Sequence, residues 1–182
     1  MNVMSNINYG RFDIAKMHYE YSGFEYIELP WTVDEDIANI TKPYGVQNFF
    51  MKDKVFVASG EQSFLQLSLK GNLKPGKYQG ISPCFRDEGI IDRIHQEYFL
   101  KLELFQSVDV NIENLGKMIE SAQKFFNYFC VDTLKTVTED GFDICTMQGI
   151  ELGSYGIREF NGFHWIFGTG LAEPRLTKAT IG

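Results

Sequence analysis

The sequence predicts an α+β fold, in which antiparallel strands and amphipathic helices share one chain. Two observations carry this prediction. Residues 81–105 are typical of an antiparallel hairpin, and residues 111–129 are typical of a helix with one apolar face. The length of 182 residues suits one well-buried domain and is short for two. We therefore expect a single domain over residues 1–182.

The predicted hairpin has one apolar face and one face with charged and aromatic side chains. On its return strand Leu100, Leu102 and Leu104 point one way, because side chains alternate along a strand. The opposite face and the connecting loop gather polar and aromatic residues: Arg86, Glu88, Arg93, His95, Phe99, Lys101 and Glu103. Core packing does not require such a set, whereas binding a nucleotide polyphosphate does.

Further elements are predicted before the hairpin. A helix over Phe12 to Tyr21 is followed by a strand over Phe24 to Leu29, which a proline ends. Residues 32–45 are predicted as a loop with one helical turn. A strand within 49–58 and a short helix over 62–69 precede the hairpin.

After the hairpin, Asn111 is the expected N-cap of the amphipathic helix, whose apolar stripe indicates core packing. Residues 133–140 are predicted as a polar connection, and 142–147 as a strand. The glycines of 149–158 indicate backbone held close to a ligand. An aromatic strand over 163–167 completes this part of the prediction.

The chain is predicted to end in a helix that follows a Gly168-Thr169-Gly170 turn. Pro174 is expected in the first turn of that helix, since proline is tolerated there, and Arg175 stands next to it. This places an arginine at a helix start after a glycine-rich turn, a position suited to phosphate.

Composition limits the classes of function. The net charge of −7 disfavours autonomous nucleic-acid binding, which ordinarily uses a basic surface. Three widely spaced cysteines without a CxxC pair favour a reducing compartment and argue against a structural zinc site. No apolar run approaches the roughly 18 residues of a membrane span, and no secretory signal pattern begins the chain. A cytoplasmic protein is expected.

Several motifs resemble those of the class II aminoacyl-tRNA synthetases. Phe12 to Pro30, ending GFEYIELP, resembles the first motif. Phe85-Arg86-Asp87-Glu88, followed by Phe99 and Glu103, is similar to the second. Gly168 to Leu176 resembles the third, and here Ala172, Glu173 and Pro174 precede Arg175.

Two further stretches add to the resemblance. SGEQSFLQL and GIELGSYGIRE are similar to segments of the aspartyl, asparaginyl and lysyl enzymes, whereas RIHQ with the following strand is more seryl-like. The subclass stays open. The resemblance implies a mostly antiparallel sheet flanked by helices rather than a Rossmann fold.

The resemblance also implies roles for individual residues. Arg86 would hold the α-phosphate of ATP and stabilise its charge during the reaction. Glu88 would bind the adenine amino group, and Arg93 or His95 the γ-phosphate. Phe99, with Tyr98 as the alternative ring, would stack on adenine opposite Arg175. The remaining implied residues are Gly168 and Gly170 for ATP, Glu151, Tyr155 and Arg158 for the substrate, and Glu103 and Glu151 for magnesium.

The activity implied is ATP-dependent activation of an amino acid as its aminoacyl-adenylate, with ATP and magnesium as cofactors and a homodimer as the assembly. A polar or charged amino acid is expected. The acceptor is tRNA or another molecule, and neither the acidic balance nor the absence of an anticodon-binding domain in this sequence supports tRNA. The alternative is a catalytically inactive regulatory paralog that binds a ligand.

Overall fold

The computed structural model of the protein describes residues 7–43, 45–87, 96–129 and 131–180. Helices in these ranges are α1 (Tyr9–Tyr21), α2 (Glu35–Thr41), α3 (Gly60–Leu69), α4 (Ile112–Tyr128) and α5 (Arg175–Thr180). The strands are β1 (Glu25–Tyr26), β2 (Thr32–Val33), β3 (Phe50–Met51), β4 (Lys54–Phe56), β5 (Lys77–Phe85), β6 (Tyr98–Gln106), β7 (Thr133–Thr138), β8 (Gly141–Thr146), β9 (Glu151–Phe160) and β10 (Phe163–Glu173).

A large, mainly antiparallel sheet organises the fold. Within the described ranges its seven strands follow the order β1-β5-β6-β10-β9-β8-β7, and β1 is parallel to β5 while the other neighbours are antiparallel. A small antiparallel sheet has the order β2-β4-β3. The predicted α+β class and the mostly antiparallel sheet flanked by helices are confirmed.

Two buried clusters lie on opposite faces of the large sheet. One joins Leu102 and Leu104 of β6 to residues of α1, α4 and α5. The other joins Phe105 of β6 to α2, α3 and the small sheet. The alternation predicted for β6 is therefore confirmed. The candidate functional site lies on the α3 side of the sheet.

The hairpin and the longest helix follow the predictions closely. Strands β5 and β6 pair in unbroken register from Lys77↔Gln106 to Phe85↔Tyr98. Helix α4 begins after Asn111, whose side chain accepts a hydrogen bond from the Asn114 backbone N–H at 2.9 Å. Its apolar stripe lies in the core, because one face packs against the sheet.

Helix α1 also follows the prediction closely, but several short elements differ from it. The strand expected over Phe24 to Leu29 contains only Glu25–Tyr26 in β1. The expected loop at 32–45 contains β2 and α2, and the strand expected at 49–58 is the hairpin of β3 and β4. Residues 133–140, expected as a polar connection, contain β7. This is an edge strand with mostly exposed side chains, so its sequence lacks a core-facing pattern.

The largest difference from the prediction concerns the Gly168-Thr169-Gly170 segment, which was expected to be a turn. It lies inside β10. Helix α5 begins at Arg175, so Pro174 precedes it instead of standing in its first turn. A β-carbon on Gly168 would lie 2.6 Å from Met118 Sδ, and one on Gly170 would lie 2.4 Å from Leu102 Cδ2. These glycines therefore let the strand approach the core closely.

Two of the three glycines of 149–158, Gly153 and Gly156, likewise lie close against other protein atoms, whereas a β-carbon on Gly149 would meet nothing within 4 Å. A β-carbon on Gly153 would lie 2.7 Å from Thr169 Cβ, and one on Gly156 would lie 2.5 Å from the Asp140 carbonyl oxygen. The segment is strand β9, apart from the turn before it. None of the helices in the described ranges is long and apolar enough to cross a membrane.

Candidate functional site

A cavity of about 490 Å³ lies on the α3 side of the large sheet. Its wall includes side chains of β6, β9 and β10, the start of α3, and the segment that follows α2. Its cationic side chains are Lys42, Arg86, Lys101, Arg158 and Arg175. Acidic and aromatic side chains lie between them, including Glu61, Asp87, Asp140, Glu151, Phe99 and Phe167. Such a mixture suits a polar ligand that carries both charge and a flat apolar part.

Arg86 is held at the end of β5 by several contacts. Its backbone N–H donates to the Glu97 carbonyl at 2.8 Å, and its side-chain Nε donates to the Ala58 carbonyl at 3.1 Å. The guanidinium carbon lies 4.9 Å from the centre of the Phe99 ring. Arg86 and Phe99 therefore form one end of the cavity, where a cation and an aromatic face are adjacent.

Lys101 and Glu103 form a buried ion pair beneath the cavity. Lys101 Nζ lies 3.0 and 2.8 Å from the two carboxylate oxygens of Glu103, which is fully buried. The Ser59 hydroxyl donates to the same carboxylate at 2.5 Å. Lys101 lines the cavity and Glu103 does not. The alternation of β6 indicated this face, but the sequence reasoning assigned no role to Lys101.

Glu61 and Arg158 form a second pair, in the cavity wall. Arg158 Nη1 donates to Glu61 Oε2 at 2.6 Å, and Trp165 Nε1 donates to Glu61 Oε1 at 2.7 Å. The Arg158 guanidinium also lies 4.0 Å from the centre of the Phe167 ring. Burial raises the pKa of the Glu61 carboxyl above its ordinary value, and the Arg158 guanidinium opposes that rise.

Sequence reasoning selected Arg158 but missed Glu61 and Phe167. Glu61 belongs to the SGEQ stretch at the start of α3, which had suggested the family resemblance without suggesting a role. The signal that could have identified it is a carboxylate at a helix start, where an anion is favoured. Its partner is 97 positions away in the chain, so the pair becomes visible only in the fold.

Arg175 and Glu151 meet at another part of the cavity wall. Arg175 Nη1 donates to Glu151 Oε1 at 2.8 Å, and both residues line the cavity together with Ser154. The register of β8 with β9 shifts between Ile144 and Cys145, beside Glu151. Arg175 lines the same cavity as Arg86 and Phe99. It does so although residues 168–170 belong to β10 and do not form the predicted turn.

Three predicted site residues lie elsewhere. Tyr155 is fully buried on the face of the sheet that packs against α1 and α4. Its hydroxyl donates to the Thr169 carbonyl at 2.6 Å, and burial raises its pKa. Gly168 and Gly170 also face that side, next to Met118 and Leu102. Strand alternation directs these positions away from the cavity. We leave these three residues out of the site that we propose.

The remaining predicted residues divide into two groups. Phe99 lines the cavity, whereas Tyr98, the alternative stacking ring, is 56% exposed and is not part of the cavity wall. Glu88, Arg93 and His95 lie outside the residues that the structure describes. Their expected roles remain predictions from the sequence.

The two carboxylates expected to bind magnesium are each paired with a cationic side chain. Glu103 is buried in its pair with Lys101, and Glu151 is paired with Arg175. In the part of the chain that the structure describes, no group of three or more His, Cys, Asp or Glu side chains could hold a metal ion.

Comparison with known proteins places the chain in a family. Residues 11–149 match the family model described as tRNA synthetases class II (D, K and N). Since this match covers most of the chain, the protein belongs to the class II tRNA synthetase family. No curated protein sequence matches it.

Solved structures of synthetases share the fold. The cytoplasmic serine-tRNA ligase of Naegleria fowleri, in complex with AMP, is 17% identical with a TM-score of 0.76, over 92% of this chain and 46% of that chain. The seryl-tRNA synthetase of Pyrococcus horikoshii, complexed with ATP, is 18% identical with a TM-score of 0.76, over 98% of this chain and 51% of that chain.

A third similar structure is PylSc of Desulfitobacterium hafniense, a pyrrolysyl tRNA synthetase. It is 16% identical with a TM-score of 0.70, over 92% of this chain and 64% of that chain. At these low identities the structural likeness shows the fold alone. The chain spans about half the length of the two seryl enzymes.

Proposed function

We propose that this protein binds ATP and an amino acid in the cavity and joins them into an aminoacyl-adenylate. The observation that carries the proposal is the meeting of Arg86, Phe99 and Arg175 around one cavity. Arg86 directly follows β5, Phe99 is in β6, and Arg175 is the first residue of α5. The family match, and the ATP and AMP bound to the two seryl enzymes, support the same proposal.

In the proposed reaction a carboxylate oxygen of the amino acid attacks the α-phosphorus of ATP. A new phosphorus–oxygen bond forms, and the bond to pyrophosphate breaks with its electron pair leaving on pyrophosphate. No side-chain nucleophile is needed, so the rate depends on placing the two substrates and on stabilising the charge on the phosphate oxygens. Arg86 is the residue that we assign to that charge.

Each remaining side chain has a role in binding. Phe99 offers an aromatic face for adenine beside the Arg86 guanidinium. Arg175 supplies a second guanidinium for the nucleotide, and its contact with Glu151 holds it in the cavity wall. Magnesium would enter with the polyphosphate. Glu88, Arg93 and His95 keep the roles that the family resemblance implies, and the acceptor of the adenylate is tRNA or another molecule.

Amino-acid-dependent exchange of pyrophosphate into ATP tests this proposal. The purified chain is mixed with ATP, magnesium and each of the twenty amino acids, and we expect exchange with at least one. Arg86→Ala should lower the exchange rate about 100-fold or more, roughly 3 kcal/mol of barrier, because one preorganised donor is lost. Arg86→Lys should retain part of the rate, since the positive charge remains.

Lys124→Ala is the matched control, because Lys124 pairs with Glu120 on the exposed face of α4. Its exchange rate should equal that of the wild type. ATP binding without exchange for any amino acid would favour the inactive regulatory paralog. Failure to bind ATP in calorimetry would exclude both the proposed ligase activity and the assignment of the ATP site.

A further inference from the structure

The cavity wall holds two places where a guanidinium lies against an aromatic ring. Arg86 lies against Phe99 in one of them, and Arg158 lies over Phe167 in the other. Phe167 of β10 is paired with Phe105 of β6. Phe99 and Phe105 are six residues apart on the same strand, which is about 20 Å. If the nucleotide lies at the Arg86 end, as the proposed function requires, the far part of the amino acid reaches the Glu61–Arg158 end.

The hydrogen bonds at that end indicate an ionised carboxylate. Both oxygens of Glu61 accept from donors that cannot themselves accept, namely Arg158 and Trp165. A carboxylate accepts such hydrogen bonds more strongly than a protonated carboxyl group does, because its charge assists them. Glu61 and Arg158 therefore form an ion pair in which one negative and one positive charge neutralise each other.

The neighbouring ion pair of Lys101 and Glu103 is neutral in the same way. Lys101 contacts both oxygens of Glu103, and Ser59 donates to that carboxylate as well. The cation and the anion of each pair therefore neutralise one another in this part of the wall. Neither pair leaves an excess charge to compensate a charged ligand group that loses its water.

We propose that the Glu61–Arg158 end selects amino acids with an uncharged, hydrogen-bonding side chain, and that Glu61 is the residue that excludes acidic ones. A hydroxyl or carboxamide can donate to a Glu61 oxygen and accept from a remaining Arg158 N–H. An acidic side chain would face the Glu61 carboxylate, and a basic one would face Arg158. This inference rests on the proposed function and narrows its substrate class.

The first test compares amino acids in pyrophosphate exchange with the wild-type protein. We expect the best of serine, threonine, asparagine and glutamine to exceed aspartate, glutamate, lysine and arginine by at least about tenfold, since a mismatched polar group at a buried site costs that much or more. An acidic or basic amino acid as the best substrate would overturn the inference. A purely apolar one would overturn it too.

The second test is Glu61→Gln. The glutamine oxygen can still accept from Trp165, but the negative charge is lost and Arg158 becomes an uncompensated cation. The ratio of acidic to neutral amino-acid use should therefore rise at least about tenfold. A merely structural role for Glu61 would lower all amino acids by a common factor, and that result would overturn the inference.

Glu113→Gln is the matched control, because Glu113 pairs with Lys117 on the exposed face of α4. It should leave the selectivity unchanged, and thermal unfolding of both variants shows whether each is folded. Amino-acid binding, measured by calorimetry with AMP present, tests the selectivity without the chemical step. If exchange fails for every amino acid, the proposed activity is refuted. Calorimetric preference for neutral side chains then supports the selectivity, and any other preference overturns it.

Discussion

Glu103 shows how burial limits what a side chain can do. The alternation of β6 correctly assigned it to the face of the sheet opposite the leucines, where a magnesium or substrate ligand was expected. In the fold it is fully buried and bonded to Lys101 and Ser59. Its contribution to the cavity is therefore indirect, because it neutralises the lysine that reaches the cavity surface.

The reactivity of the Cys84 thiol tests whether this side chain is buried. It is fully buried, and burial raises the pKa of its thiol to about 11. Only about one thiol in a thousand is then ionised at pH 8, and the thiolate is the reactive form. We expect peptide mapping after iodoacetamide treatment at pH 8 to find Cys84 unmodified in the folded protein and modified after denaturation.

Cys145 is the internal comparison, because it is partly exposed whereas Cys84 is fully buried. It should be alkylated faster than Cys84 in the folded protein. Cys145→Ser should remove that early modification and leave Cys84 protected. Equal alkylation rates at the two cysteines would contradict the burial of Cys84.

At the scale of elements, an ion pair joins α1 to the end of β10, just before α5. Arg11 of α1 donates to Glu173 at 3.0 Å and to Thr177 at 2.9 Å, while Glu173 accepts from the Thr177 backbone N–H. Glu173 is fully buried. Because Arg175 opens α5 only two residues later, this contact fixes the element that carries an arginine of the cavity.

Arg11→Ala should lower the free energy of unfolding by about 3 kcal/mol, because it leaves the Glu173 carboxylate buried without its cation. Chemical denaturation measures this change. Lys117→Ala is the control, since it removes an exposed ion pair worth about 0.3–0.5 kcal/mol. Similar losses in the two variants would show that the Arg11 contact does not stabilise α5.

At the scale of the whole molecule, α1 presents apolar side chains that nothing in the described chain covers. Tyr9, Met17 and Tyr21 are 69%, 60% and 92% exposed. An apolar helix face of this kind suits a subunit interface. We propose that residues 12–30, which comprise most of α1 and the segment that follows it, form the interface of a homodimer.

Met17→Glu should convert that dimer to a monomer, because it places a charge in an apolar contact. Analytical ultracentrifugation at micromolar concentration measures the change. Val137→Glu is the matched control, since Val137 is 75% exposed on β7. Strand β7 is the edge of the large sheet opposite β1, the strand that follows α1. A wild-type monomer under these conditions, or equal dissociation of both variants, would contradict the proposed interface.

The sequence by itself determined the hairpin of β5 and β6, helix α4 and the family. These features depend on local periodicity and on the order of short motifs, so they can be recognised without knowing what packs against them. The same locality explains the errors. The Gly168-Thr169-Gly170 segment has the composition of a turn, and only the approach of Met118 and Leu102 explains its glycines inside a strand.

Only the tertiary structure decided which charged side chains meet. Glu61 and Arg158 are far apart in the chain, and β10 brings Trp165 and Phe167 to the same pair. Arg175 lines the cavity because of how α5 packs, not because of a turn before it. Side-chain pairing between distant elements is set by packing, which periodicity in one segment does not encode.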